Sequence, residues 1–286
     1  MAPELCLLVV FHATYNSTMN RPGVGGVIAA IVFSAALVRA IELNDQTRLA
    51  FDDYARRAEQ QFASAPFAFV ERVAPTLRRG TIVGRPGSGN GILQVPGGLI
   101  HHWHGAAFHP GATADMAQQL AQSYDDYPKI YDSVVSSQLL SHEGDVFRVR
   151  LRIKERAGVV TSVVDITSTV TYVRVDTCSG YSVSRATEIR EIVAAGESDE
   201  RALPAGTGHG YLWRASTFSS YRQQNDGLYV YLETLGLSRG FPAMLGWIIE
   251  PIARRLGRKS VEGSLAEFRV ALMTGPVTDR PKSCNP

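Results

Sequence analysis

His101-His102-Trp103-His104 is the densest stretch of side chains in this chain able to ligate a metal or move a proton. On an extended strand His102 and His104 point to one face and His101 to the other. The pair could share a metal ion, with His109 or His209 as a distant third ligand. No further ligand stands at a spacing that completes such a site. The histidines therefore read as polar lining or surface residues, and no metal or cofactor is expected. Tyr181, Val183, Arg185, Thr187 and Ile189 alternate onto one strand face. If Val183 and Ile189 point inward, Arg185 does too, and an inward guanidinium needs an anion beside it. Glu233, between Tyr231 and Leu235 on its own face, is one candidate for a structural ion pair. A ligand carboxylate or phosphate is the other. Phe147 to Lys154 sets Arg148, Arg150, Arg152 and Lys154 on one face, read as a solvated surface opposite Asp165 rather than an anion patch. No Gly-x-Ser-x-Gly, His-Glu-x-x-His or evident Cys–His context occurs, so no motif places an acid, base or nucleophile.

The elements that must position these residues read best toward the C-terminus. Tyr211 to Gln223 alternates as a half-buried strand, and Asn225-Asp226-Gly227 predicts a tight hairpin turn. Leu228 to Leu237 returns, with Leu228, Val230 and Leu232 on one face and Tyr229, Tyr231 and Glu233 on the other. After Phe241-Pro242 the period becomes 3.6. Leu245, Ile248, Ile249, Ile252 and Leu256 form one apolar stripe; Val261, Leu265, Phe268 and Leu272 form a second beyond Gly257. Upstream, strands are predicted over Ser136–Ser141, Val146–Glu155, Val159–Val175 and Tyr181–Val193, and another over Leu99–Phe108. Thr113 can cap a helix carrying Asp115, Met116, Leu120 and Tyr124, and a second short helix is expected to start at Ile130 beyond Pro128. Leu43 to Phe62 reads as a moderately amphipathic helix. Gly84 to Gly91 reads as a flexible linker, since no strand clearly precedes it and no Gly-Lys-Ser/Thr follows.

At 286 residues, with 45% hydrophobic and 20% charged residues, the chain can bury a sizeable core. A net charge of +2 without a basic, aromatic-interleaved run gives no ground for nucleic-acid binding. Val24 to Val38 is a short apolar run after Met19-Asn20-Arg21, ending in small residues at Val38-Arg39-Ala40. It reads as a secretory signal, with Met19 as the true start and a mature chain from near Ile41. It is too short for a permanent membrane anchor. Export would leave Cys178 and Cys284, and a single bridge between them would tie down the tail, though two cysteines make no framework.

Four segments carry a resemblance: Gly97-Gly-Leu-Ile-His-His-Trp103, Asp126-Tyr-Pro-Lys-Ile-Tyr131, Gly210-Tyr-Leu-Trp-Arg214 and Leu235-Gly-Leu-Ser-Arg239. Together with the element order they resemble the START-like, or SRPBCC, superfamily of lipid-transfer domains and polyketide cyclases, and within it exported bacterial members. The resemblance covers residues 96–274. It implies an α+β helix-grip fold, a curved antiparallel sheet wrapped around a long C-terminal helix, with a cavity between them for apolar ligands. Residues 1–40 are then an N-terminal extension and signal, 41–95 a short helical extension and linker, and 275–286 a Pro-containing tail. The expected function is binding of a hydrophobic or amphipathic small molecule, lined by His102, Trp103, Arg185, Tyr211, Trp213, Tyr231 and Glu233. The rivals are a cyclase- or hydrolase-type enzyme using His102, Glu233 or Tyr231, and a structural or partner-binding domain whose cavity its own side chains fill.

Overall fold

The computed structural model describes residues 42–157, 160–224, 226–240, 246–274 and 284. The expected start at Met19, the run Val24–Val38, the cleavage point before Ile41, Leu245 and most of the tail lie outside these residues.

Helix α1 (Asp45–Ser64) begins where the Asn44 side chain accepts a hydrogen bond from the Thr47 amide at 2.8 Å, filling one of the free donors of the first turn. Phe51, Ala55, Ala58 and Phe62 form its buried stripe. Helix α2 (Ala68–Leu77) follows. Strands β1 (Val83–Pro86) and β2 (Ile92–Val95) then both pair antiparallel with β3 (Gly98–Pro110), Val83 opposite Ala106 and Ile92 opposite His101. This corrects the linker reading of Gly84 to Gly91, which is the edge of the sheet. The chain steps outward between β1 and β2, yet the Gly87 amide still bonds the His102 carbonyl and the His102 amide the Gly91 carbonyl, at 2.9 and 3.0 Å. Glycine is required there: a Cβ on Gly87 would lie 2.2 Å from the His102 ring.

Helix α3 (Ala114–Gln122) is capped by Thr113, which accepts from the Met116 amide at 3.2 Å. A single 3-10 turn and the short α4 (Tyr127–Ile130) come next. The helix expected to start at Ile130 instead ends there. Pro128 occupies the first turn, where its missing N–H is no loss, and Tyr131 is already extended. Strands β4 (Val134–Glu143), β5 (Val146–Ala157), β6 (Val160–Asp176) and β7 (Ser179–Val193) pair in antiparallel succession. A short β8 (Arg201–Ala202) pairs with β7. Strands β9 (Arg214–Gln224) and β10 (Gly227–Arg239) are the expected hairpin, and α5 (Gly246–Thr274) is the terminal helix. The sheet order is β1-β3-β10-β9-β7-β6-β5-β4, with β2 also on β3 and β8 on β7.

The two faces of this curved sheet carry separate cores. On the inner face Trp103, Ala107, Val230, Leu232 and the Phe147–Ile153 alternation pack with Tyr124, Tyr127, Tyr131 and the α5 stripe Val261, Leu265, Phe268 and Leu272. Of the first α5 stripe, Leu256 is described as buried. The helix runs unbroken through Gly257, which serves contact rather than a break: a Cβ there would lie 2.2 Å from Trp103 Nε1. Gly105 plays the same part on β3, its imagined Cβ 2.4 Å from Val261. On the outer face Phe108, Phe218, Tyr229, Tyr231 and Leu235 pack with Phe51, Phe62 and Phe69. The N-terminal helices are thus a layer of the fold, covering the back of the sheet. Arg148 and Arg150 are exposed, and Arg152 pairs with Asp165 and Glu200 at 2.7 Å each, which makes that face the solvated surface expected. Cys178 and Cys284, 106 residues apart, form a disulfide with Cα atoms 5.7 Å apart.

Candidate functional site

The seven residues expected to line one cavity are spread over two faces. Trp103 is on the inner face against α5. His102 follows the strand's period of two and points the other way, with Tyr231 and Glu233, into the space beneath α1 and α2. Trp213 also belongs to the outer core, and Tyr211 lies in the loop before β9, stacked on His209 at 5.1 Å. Arg185 is half exposed at the rim of the outer face, and its guanidinium is held by Glu59 of α1 through two nitrogens. The inward reading of Arg185 and its pairing with Glu233 are therefore corrected. The reason is a register shift: Ser168 faces Ala186 but Thr167 faces Glu188, so Thr187 is a bulge that reverses the alternation of β7. Val183 belongs to the outer core and Ile189 to the inner one.

The outer face holds a buried polar network. Tyr54 of α1 meets His102 Nδ1 at 2.8 Å, and His102 Nε2 meets Glu233 Oε1 at 2.8 Å. The Tyr231 hydroxyl donates to Glu233 Oε2 at 2.6 Å and lies 3.3 Å from His104 Nδ1. One assignment satisfies this chain: Tyr54 donates to Nδ1, and Nε2–H and the Tyr231 hydroxyl both donate to a Glu233 carboxylate. Burial, and then Glu233, raise the Tyr231 phenol well above its usual range; burial lowers His104 to about 4. The enzyme reading drew on His102, Tyr231 and Glu233. The structure does bring them together, joined by Tyr54, which sequence reasoning missed. Their polar atoms are spent on one another beneath a helix, so the arrangement fastens α1 to the sheet. Ion pairs of Arg214 with Asp52 at 2.7 Å and Arg222 with Glu71 at 3.0 Å add to it at the rim.

The inner face is different. Trp103 Nε1, both nitrogens of His109, the Tyr131 hydroxyl, Ser168 Oγ and Thr234 Oγ1 are buried without a hydrogen-bond partner among the described residues. At the helical end of this face a groove of about 820 Å³ opens between α3, α4 and the last turns of α5. Its apolar walls include Met116, Leu120, Ile130, Val270 and Leu272. Met116, Leu120 and Ile130 pack directly on the inner core, so the groove floor is continuous with it. Asp126, Lys129, Asp132 and Glu267 stand around it, Lys129 already bound to Asp126 at 2.7 Å. The 3.6 period marks Met116 and Leu120 as the apolar side of α3, but not that part of that side borders a groove among the described residues.

Among the described residues no group of three or more His, Cys, Asp or Glu is placed to hold a metal ion. No described helix is long and apolar enough to cross a membrane.

The fold is a helix-grip. It is established by the sheet and terminal helix described above. Solved structures similar to this chain include a STAR-related lipid transfer protein from Xanthomonas axonopodis, 16% identical over 64% of this chain and 99% of that one, with a TM-score of 0.43. A START superfamily protein from Mycobacterium smegmatis is 10% identical over 60% and 97%, TM-score 0.42. The Zhui aromatase/cyclase from Streptomyces sp. R1128 is 14% identical over 61% and 92%, TM-score 0.38. No family model matches the chain, and no curated protein matches it.

Proposed function

We propose that this protein binds a hydrophobic or amphipathic small molecule between the inner face of the sheet and α5, entering through the groove beside α3 and α4. The observation that carries the reading is the continuity of that groove with the inner core through Met116, Leu120 and Ile130. A guest laid there moves its apolar surface from water onto side chains already packed, at about 25 cal/mol per Å² in favour of binding. Of the residues expected to line the site, Trp103 keeps that role. His102, Tyr231 and Glu233 support the wall from behind. The structures similar to this chain include proteins named for lipid transfer and for aromatase/cyclase activity, which is in keeping with an apolar guest.

A neutral solvatochromic dye such as Nile red, titrated with the whole mature chain, tests the site. Leu120→Asp and Ile130→Asp each place a carboxylate on the groove floor and are expected to weaken dye binding at least tenfold. Unchanged affinity in both variants, with folding intact by circular dichroism, would move the site elsewhere.

The reading extends to compartment: the protein is exported and begins near Ile41. The Cys178–Cys284 disulfide supports this, because such bonds persist in oxidising environments. N-terminal sequencing of the protein from its own host checks it, and a chain retaining Val24 to Val38 would contradict it.

A further inference from the structure

A second, smaller hollow beside the groove narrows the class of guest, on the reading that the guest lies between sheet and α5. We infer that the ligand is an amphipathic primary amine, its ammonium head held in this side pocket and its apolar chain in the groove.

The pocket, of about 40 Å³, lies between the end of β5, the residues leading into β4 and the middle of α5. It shares Asp132 and Glu267 with the groove, so the two spaces adjoin. Glu155 lines it from the sheet. Phe147, Val149, Leu151 and Ile153 take the inner side of β5, and Glu155 is the next residue on that side, 7% exposed. A carboxylate enclosed at the end of an apolar series has to be met by donors or by a cation. Ser260 lines the pocket from α5. It is 5% exposed, and its Oγ has no hydrogen-bond partner among the described residues. Asp132, Glu155 and Glu267 outnumber Lys259 around the space. Their field reaches the interior, where burial and then Glu267 raise the Tyr131 phenol well above its usual range. Arg269 does not offset it: its guanidinium lies 3.4 Å from the carbonyls of Gly80 and Phe108, and it lines neither space.

Size and charge together select the head. The volume admits one group about as large as a water molecule, whose share of the liquid is about 30 Å³. A primary ammonium has that size and donates three hydrogen bonds, which carboxylates and a hydroxyl accept. A metal ion suits the pocket less, since no three acidic groups converge on one point among the described residues. A carboxylate or phosphate head would meet charge of its own sign.

Dodecylamine, dodecanol, dodecanoate and dodecyltrimethylammonium share one chain and differ in the head. Displacement of bound Nile red by each, at pH 7.5 and below the aggregation limit, ranks them. Dodecylamine is expected to bind about tenfold more tightly than dodecanol, with dodecanoate weaker still. The trimethylated head keeps the charge but is too large for the pocket and donates no hydrogen bond, so it should lose most of that advantage. Glu155→Gln keeps the shape and removes the charge; it should bring dodecylamine close to dodecanol and leave dodecanol within about twofold. Ser260→Ala should weaken dodecylamine about threefold, and it serves if Glu155→Gln does not fold. Equal affinity for dodecylamine and dodecanol overturns the inference while leaving the site in place. So does a trimethylated head that binds as tightly as the primary amine, or an unaltered dodecylamine affinity in both variants. Melting raised by ammonium chloride over sodium chloride at equal ionic strength, without a preference for dodecylamine, overturns it in favour of free ammonium. If the dye binds and none of the four displaces it, or if nothing binds, the reading of the site fails and the inference with it.

Discussion

The two faces of the sheet differ in how fully they satisfy their buried polar groups, although inner-face Tyr124, Tyr127 and Tyr172 are hydrogen-bonded. On the outer face Tyr54, His102, Glu233 and Tyr231 satisfy one another in a continuous chain, and arginines from the strands reach carboxylates on α1 and α2. Among the described residues, Trp213 Nε1 departs from this pattern on the outer face. On the inner face tryptophan, histidine, tyrosine, serine and threonine atoms, with one Glu155 oxygen and Arg269 Nε, are enclosed without hydrogen-bond partners among the described residues, on the face that ends in the apolar groove. A network whose every atom is used holds two layers together permanently. The inner wall leaves hydrogen bonds unmade among the described residues.

Substitutions can break this comparison. The largest effect belongs to neither polar set. Phe268 is fully buried at the heart of the α5 stripe, and Phe268→Ala should cost about 3–5 kcal/mol in urea unfolding. A loss under about 1 kcal/mol would mean that α5 does not grip the sheet as described. Next comes the outer network. Glu233→Ala strands both His102 Nε2 and the Tyr231 hydroxyl in a buried place, and should cost about 2–4 kcal/mol. The effect should shrink when Tyr54→Phe is already present, since residues of one network are coupled. Simple additivity would show that they act separately. The smallest effect has the opposite sign. Thr234 Oγ1 is buried on the inner face without a described partner, so Thr234→Val should leave the ligand-free protein as stable or up to about 1 kcal/mol more stable. A loss of 2 kcal/mol or more would remove the contrast between the faces.

Sequence reading went furthest where one period ruled. The pairing of β9 with β10, the alternation of Phe147 to Ile153 and the α5 residues Val261, Leu265, Phe268 and Leu272 are as their spacing predicts, but β9 starts at Arg214 rather than Tyr211 and is buried on both sides rather than half-buried. It failed where both sides of a strand are covered. Strand β10 is buried at every position except its last, so Tyr231 and Glu233 carry no local sign of which side they face. That depends on α1 and α2, whose docking onto the sheet is written in no short-range pattern. The glycines of Gly84 to Gly91 looked like slack chain because the contacts that demand them, above all the His102 ring against Gly87, are close in space and not in spacing. Arg185 was misplaced by a single bulge residue, Thr187, which no propensity marks. The apolar side against α5 was legible, and Trp103 lies on it. The groove needed α3, α4 and α5 in place together.

The central claim is that a guest occupies the inner face. Native mass spectrometry of the protein purified from its own host, without detergent, tests this most directly. The account predicts a fraction heavier than the polypeptide by a discrete mass, released on denaturation as a lipid-like compound and reduced in Leu120→Asp. A mass equal to the disulfide-bonded polypeptide alone, unchanged after incubation with Nile red, would contradict it and leave a structural domain whose interior its own side chains fill.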